Sequence, residues 1–222
     1  MNILPLDKFS YSFPDPFYAN DIGILAYGGD LSPTRLITAY TKGIFPWYNK
    51  TDPILWWSPN PRFILDLYEF KVSKSLQKTI SKNIFEIKFD TNFRQVLIEC
   101  SQIPRDGQDG TWILPEIIDA YEKLHEMGFA NSFEAYCDGK LVGGGYGINI
   151  GNIFCGESMF AKKSDASKVA LYYLVERLKL NGFKFIDCQI PTLHLASLGA
   201  KKIPREVFLN LVKISVENPK TF

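Results

Sequence analysis

Apolar and polar positions follow two different rhythms along this chain, and the rhythm changes near residue 62. Beyond it, short runs rich in aromatic and β-branched residues predict strands at FILDLYEF (63–70), FEIKFD (85–90), NIFCGESMF (152–160) and FKFIDCQ (183–189). SFEAYCD (132–138) and KLVGGGYGINI (140–150) meet at Asp138-Gly139, a strong hairpin signal. Helical spacing predicts helices over Ser73–Ser81, Asn92–Cys100, Pro115–Met127, Ser164–Leu180 and Arg205–Val216. The third carries Leu114, Ile117, Ile118, Tyr121 and Leu124 on one stripe and stops at Gly128; Asn181-Gly182 closes the fourth. SQIPRDGQDGTW (101–112) reads as a polar loop.

Before residue 62 the chain is rich in Pro, Gly and aromatics. One helix is predicted there, with Asp30 or Ser32 as its cap, Pro33 in its first turn and LITAY leading to Gly43. GIFPWYNKTDPILWWSPNPR (43–62) reads as compact loop with one short strand, which must pack on the larger C-terminal part of the chain. The order hairpin, strand, helix, strand predicts an α+β fold whose mixed sheet holds a parallel pair near its C-terminal end. Two domains are expected, 1–62 and 63–222.

With 222 residues, 46% of them hydrophobic, the chain can bury a large core. Its 25 Lys and Arg against 24 Asp and Glu leave a charge of +1, so any contact with nucleic acid must come from a local patch. No signal peptide, membrane span or metal-ligand spacing is evident, and Cys100, Cys137, Cys155 and Cys188 form no CxxC pair. Reduced thiols in a cytoplasmic, metal-free protein are the expectation.

Glu157 and Asp187 stand in apolar, strand-like runs on either side of one helix. A buried carboxylate needs a partner or a task, and neighbouring parallel strands would let these two line one cleft. In an extended strand Gln189 shares a face with Asp187 while Cys188 points away into packing. Cys188 with His194 as nucleophile and base is the weaker idea; His194 and His125 read as structural. Lys71, Lys74, Lys78 and Lys82 recur at helical spacing with no acidic residue interleaved at the pairing positions, a stripe suited to either solvent or phosphate. Trp56 and Trp57 cannot both face inward if extended, which leaves one ring for a cleft.

GGDLSPTRLITAYTKGIFPWY, DPILWWSPNPR, GTWI, GESMF and IDCQ…HLASLGA together resemble the bacterial leucyl/phenylalanyl-tRNA–protein transferases, in order and through almost the whole chain. The resemblance implies a small N-terminal domain packed on a C-terminal domain similar to the acetyl-CoA-type N-acyltransferase fold. It also implies transfer of Leu, and of Phe or Met, from aminoacyl-tRNA to proteins beginning with Arg or Lys, marking them for degradation. No cofactor is implied, and a monomer is expected. Carried over residue by residue, Glu157, Asp187 and Gln189 form the reaction centre. Trp47 and Trp112 correspond to aromatics at the aminoacyl-adenosine end, with Tyr40 and Tyr121 around them. Met159 and Leu171, with Ser158, fall at the pocket for an apolar side chain unbranched at Cβ. Arg62 joins the lysine stripe as a tRNA contact.

One position departs from the family pattern: Gly145 stands where a bulkier residue is common, which implies a roomier pocket. Ordinary carboxylates are poor bases toward an ammonium group, so Asp187 is expected to hold the neutral amine through Gln189 and to receive its proton as attack makes it acidic, and Glu157 to anchor the aminoacyl end or the cationic N-terminal residue of the acceptor. The competing readings are an acyl-CoA-dependent N-acyltransferase and a non-catalytic tRNA- or peptide-binding module.

Overall fold

In a computed structural model, which describes residues 3–103 and 111–222, the strands form two sheets. The first, ordered β1-β2-β4-β3, comprises β1 (Leu4–Leu6), β2 (Ile24–Gly28), β3 (Phe45–Pro46) and β4 (Leu55–Trp57). Where one short strand was expected before residue 62 there are four, β1 and β2 ahead of the 43–62 segment and β3 and β4 within it. They are only two to five residues long and interrupted by Pro and Gly, so they carry little alternation. The helix predicted after Ser32 is α1 (Pro33–Tyr40).

The second sheet has seven strands. They are β5 (Arg62–Asp66), β6 (Glu86–Phe89), β7 (Ala130–Cys137), β8 (Lys140–Ile150), β9 (Ile153–Ala161), β10 (Phe185–Gln189) and β11 (Lys201–Ile203). Their spatial order is β11-β5-β10-β9-β8-β7-β6. The helices are α2 (Lys74–Ser81), α3 (Phe93–Gln102), α4 (Pro115–Glu126), α5 (Ala166–Leu180), α6 (Leu193–Ser197) and α7 (Arg205–Val216). The short α6 and β11 carry no sequence signal of their own. The loop predicted over 101–112 lies mostly outside the described residues. Among the described residues no helix is long and apolar enough to cross a membrane, and all four cysteines are free thiols.

Two apolar cores sandwich the large sheet. One holds Leu97, Ile117, Tyr121 and Ile148 and continues into Leu36, Phe45 and Trp56, so the small sheet shares its core with the large one. The other lies between the sheet and α5, around Phe133, Phe154, Leu171 and Leu174.

β9, α5 and β10 make the crossover unit expected from the sequence. The parallel ladder is short: Phe185 lies opposite Ile153, Ile186 opposite Phe154, and Asp187 opposite Cys155. Past that point the strands part.

Candidate active site

Two β-bulges flank the parting strands. In the β8–β9 ladder Tyr146 faces Ser158 and Gly147 faces Gly156, which leaves Glu157 as the extra residue. The bulge reverses the facing of the rest of β9. Ile153, Cys155 and Phe160 contribute to one core, whereas Met159 packs against the other. In the β5–β10 ladder Asp187 faces Ile64 and Gln189 faces Phe63, so Cys188 is the extra residue. Gln189 has a left-handed φ of 61°, uncommon for a residue with a side chain. Bulges re-aim side chains in this way beside functional sites.

The re-aimed groups meet. Gln189 donates from Nε2 to Glu157 Oε1 at 2.8 Å, and Tyr40 donates from its hydroxyl to the same oxygen at 2.8 Å. Tyr121 donates to Glu157 Oε2 at 3.4 Å, and its hydroxyl lies 2.6 Å from that of Tyr40. Burial pushes the Glu157 carboxyl up to about 7 even though Tyr40, Gln189 and Tyr121 favour its ionised form. Burial first, then the Glu157 charge, holds both phenols well above the ordinary tyrosine range. Tyr40 and Tyr121 are therefore struts behind the carboxylate, buried in the core.

Asp187 is placed differently from the expectation. It is fully buried, and Arg62, 1% exposed, grips it through Nε to Oδ1 at 2.8 Å and Nη2 to Oδ2 at 2.6 Å. Arg62 also donates from Nη1 to the Gly43 carbonyl and lies between the rings of Phe45 and Phe208, at 4.7 and 4.4 Å. The pair explains how both charges tolerate burial. It also removes Arg62 from the tRNA-facing set, because a fully engaged, buried guanidinium cannot meet a phosphate. Asp187 reaches the site indirectly: its Oδ1 accepts the Gln189 backbone N–H at 2.9 Å, which holds Gln189 in its left-handed turn.

A cavity of about 680 Å³ opens beside Glu157 and Gln189. Its walls come from both faces of the sheet, so it passes through the gap where β9 and β10 part. On one side are Trp47, Trp112, Glu157 and Gln189; on the other are Phe133, Met159, Leu171, Leu174, Ile186 and Cys188. Ser158 also lines it, whereas Asp187, Tyr40 and Tyr121 do not. Trp47 leans on Trp57 at 5.1 Å, and Trp57 donates from Nε1 to the Trp47 carbonyl, so Trp57 braces the half-buried Trp47 ring while Trp56 is wholly buried.

The extra room expected at Gly145 is absent. A β-carbon there would sit 2.5 Å from the Ser158 carbonyl, 2.6 Å from Phe133 Cζ and 2.7 Å from Met159 Cγ. Phe133 faces Gly145 in register and fills the space.

The sequence pattern does not mark Phe133 or Leu174 as site residues, yet both line the cavity, as do Cys188 and His194, which it favours as packing and structural residues. Phe133 and Leu174 could have been found only through the contact across the sheet. Burial pushes the Cys188 thiol up and, with Lys168, pushes His194 down, which leaves both neutral and gives no thiolate–imidazolium pair. His125 stacks on Phe93 at 4.2 Å and bonds the Ala130 carbonyl, a packing role. Lys74, Lys78 and Lys82 lie exposed on α2 and its C-cap, but Lys71 precedes the helix and donates its backbone N–H to the Leu198 carbonyl, so the stripe is one residue shorter than its spacing implied. Among the described residues no cluster of His, Cys, Asp and Glu is arranged for a metal ion.

A carboxyl held near neutrality beside a deep apolar cavity suits group transfer to or from an amine. The mixed sheet with flanking helices and this site define an α+β transferase. The model of the leucyl/phenylalanyl-tRNA protein transferase family matches residues 64–213, and that of its N-terminal domain matches residues 29–60. The chain belongs to this family. Leucyl/phenylalanyl-tRNA–protein transferases from Sulfurimonas denitrificans and Myxococcus xanthus are 56% and 51% identical to it. The alignments cover 91% and 96% of this chain and 88% and 91% of those proteins. Among solved structures, a GCN5-related glucosamine N-acetyltransferase region of a fungal enzyme is a remote match: 11% identity, TM-score 0.44, over 65% of this chain and 20% of that one.

Proposed function

We propose that the chain moves a leucyl or phenylalanyl group, and a methionyl group as a further donor, from the 3′ end of tRNA to the α-amine of a protein beginning with Arg or Lys. The observation that supports this reading best is the position of Glu157: charged or neutral near pH 7, fixed by Gln189 and Tyr40, and facing a cavity whose far half is apolar. In the step, the amine nitrogen attacks the ester carbonyl. The C–N bond forms, the bond to the ribose oxygen breaks, and the amine proton passes to Glu157 and on to the leaving 3′ oxygen. No metal, nucleotide or oxidant enters the balance. Trp47 and Trp112 give a terminal adenine two rings to stack on, and the apolar half takes the aminoacyl side chain.

The roles of the two carboxyls are exchanged relative to the sequence expectation. Glu157 handles the proton, and Asp187, locked by Arg62, fixes the turn that presents Gln189. The exposed lysines of α2 serve as phosphate contacts. Attachment of Leu or Phe marks the acceptor for degradation, and both substrates belong to the cytoplasm.

The test mixes the protein with leucyl-tRNA and an Arg-initiated peptide and weighs the product. A peptide heavier by one leucyl residue is expected, with no product when acyl-CoA replaces the tRNA. Acylation from acyl-CoA, or no product from either donor, would overturn the reading.

A further inference from the structure

The four free thiols of the chain have different surroundings. Cys100 and Cys155 are buried, and Cys188 faces the cavity with its thiol pushed up by burial. Cys137 is the exception. It is half-buried at the end of β7, and Lys163 donates from Nζ to its Sγ at 3.0 Å. The Cys137 thiol in turn donates to Asp138 Oδ2 at 3.4 Å. The sulfur therefore stands between a nitrogen and a proton acceptor, and none of the three residues lines the cavity.

Both backbones that carry the pair are held. Cys137 faces Lys140 across the two-residue turn Asp138-Gly139, whose φ values of 52° and 72° belong to a tight hairpin. Lys163 follows β9; its N–H donates to the Val142 carbonyl at 3.3 Å, and its carbonyl accepts the Ala166 N–H at 3.1 Å. Its ammonium also lies 6.0 Å from the centre of the Phe85 ring. A nitrogen fixed at hydrogen-bonding distance from a sulfur has the large effective concentration that positioning within one molecule gives. A half-exposed thiol beside a cation is also the setting in which cysteines meet peroxide.

The geometry points to Cys137 and Lys163 as a modification site, where peroxide oxidises the thiol and the lysine nitrogen then closes a sulfur–nitrogen cross-link. In the first step the sulfur attacks one oxygen of hydrogen peroxide. The S–O bond forms, the O–O bond breaks, and the thiol proton passes by way of Asp138 to the departing oxygen, which leaves as water. Sulfur loses two electrons, and peroxide takes them. In the second step Lys163 gives one proton to solvent and its nitrogen attacks the sulfenic sulfur. The S–N bond forms, the S–O bond breaks, and the hydroxyl leaves as water with a second proton from the nitrogen. An added thiol reverses the link by attacking the sulfur and returning the amine. The closed loop spans 26 positions and contains all of β8 and β9, including Glu157. Neither step uses a substrate of the cavity, so the proposal stands or falls apart from the transfer reading.

The chain is reduced, treated with hydrogen peroxide, weighed intact and mapped after trypsin. The expected product is lighter than the reduced chain by about 2 Da. Its map joins the Cys137 peptide to the Lys163 peptide, and dithiothreitol restores the starting mass. Lys163→Arg keeps the positive charge without the nucleophilic amine, so Cys137 stops at sulfenic acid, heavier by about 16 Da and trapped by dimedone. The cross-linked wild type melts higher than its reduced form, because the closed loop restricts the unfolded chain. A wild type in which Cys137 stops at sulfenic or sulfinic acid overturns the proposal. So does the same loss of mass persisting in Lys163→Arg, which marks a disulfide instead. The peptide map of the wild type decides the matter even where a variant fails to fold.

Discussion

Glu157→Gln replaces the carboxyl at the cavity wall by an amide of the same shape, which keeps a hydrogen-bonding side chain beside Tyr40 and Gln189. The ammonium formed when the neutral amine attacks is more acidic than the free one, whose pKa is near 8; even against that value a carboxyl near 7 falls short by only about 1.4 kcal/mol, an ordinary carboxyl near 4 by about 5. The burial that raises Glu157 to about 7 therefore brings proton transfer within reach of a general base. Such a base contributes roughly 10²–10⁴-fold in rate, and Glu157→Gln should lose that much. The pH profile is the sharper assay. Below pH 7 both Glu157 and the acceptor amine must lose a proton, so log(kcat/KM) for the peptide rises with a slope near two. In Glu157→Gln only the amine titrates, and the slope falls to one.

Stability moves the opposite way. A carboxyl raised from about 4.3 in the unfolded chain to about 7 in the folded one contributes stability that is full below the lower value and lost as pH rises through the upper, roughly 3–4 kcal/mol in all. The melting temperature of Glu157→Gln should therefore gain on the wild type between pH 5 and pH 8. A variant with full activity, or with the slope of two intact, would refute the assignment of the proton to Glu157.

Arg62→Met strands Asp187 as a buried, unpaired charge and should cost about 3–5 kcal/mol in chemical denaturation, part of which Arg62→Met combined with Asp187→Leu recovers. A double variant no more stable than Arg62→Met alone would contradict the pairing energetics. Lys74→Ala with Lys78→Ala should weaken binding of every tRNA and lower the salt slope of log K by about 1.4–1.8, read by filter binding at several salt concentrations; an unchanged slope would remove α2 from the tRNA path. Phe133→Leu should shift donor preference toward the larger phenylalanyl over leucyl, measured as the ratio of kcat/KM values, because Phe133 fills the space opposite Gly145. Gly145→Ala, by contrast, should destabilise by about 1–3 kcal/mol through overpacking against Phe133 and Met159.

Apart from the short α6 and β11, the strands and helices after residue 62 were legible because each run is long enough for one period to repeat, and the parallel pair around α5 followed from strand order alone. The small first sheet was not, since two- and three-residue strands such as Phe45–Pro46 and Leu55–Trp57 hold no full cycle of alternation. The site was legible as a set of residues but not as a geometry. Strict alternation places Asp187 and Gln189 side by side over one cleft; a single inserted residue, Cys188, turns Gln189 to Glu157 and leaves Asp187 in the core. Arg62 looked like a surface cation at the end of a Pro-rich stretch, because its partner lies 125 residues away and nothing local reports burial. Gly145 misled for the same reason: whether a missing side chain leaves a hole depends on Phe133, one strand over.

The sheet order has a consequence for how this protein is made. Strand β5 begins with Arg62 and continues through Phe63, Ile64 and Leu65, all buried, yet its two sheet neighbours are β10 and β11. Arg62 must wait 125 residues for Asp187, which at a synthesis rate of about 5–20 residues per second is roughly 6–25 s. Throughout that interval β5 is an apolar strand with two open edges and an uncompensated cation at its head. The nascent chain thus passes its period of greatest stickiness before its reaction centre can exist, and a ribosome-bound holdase that covers residues 62–66 should raise the yield of active protein more than one acting after release.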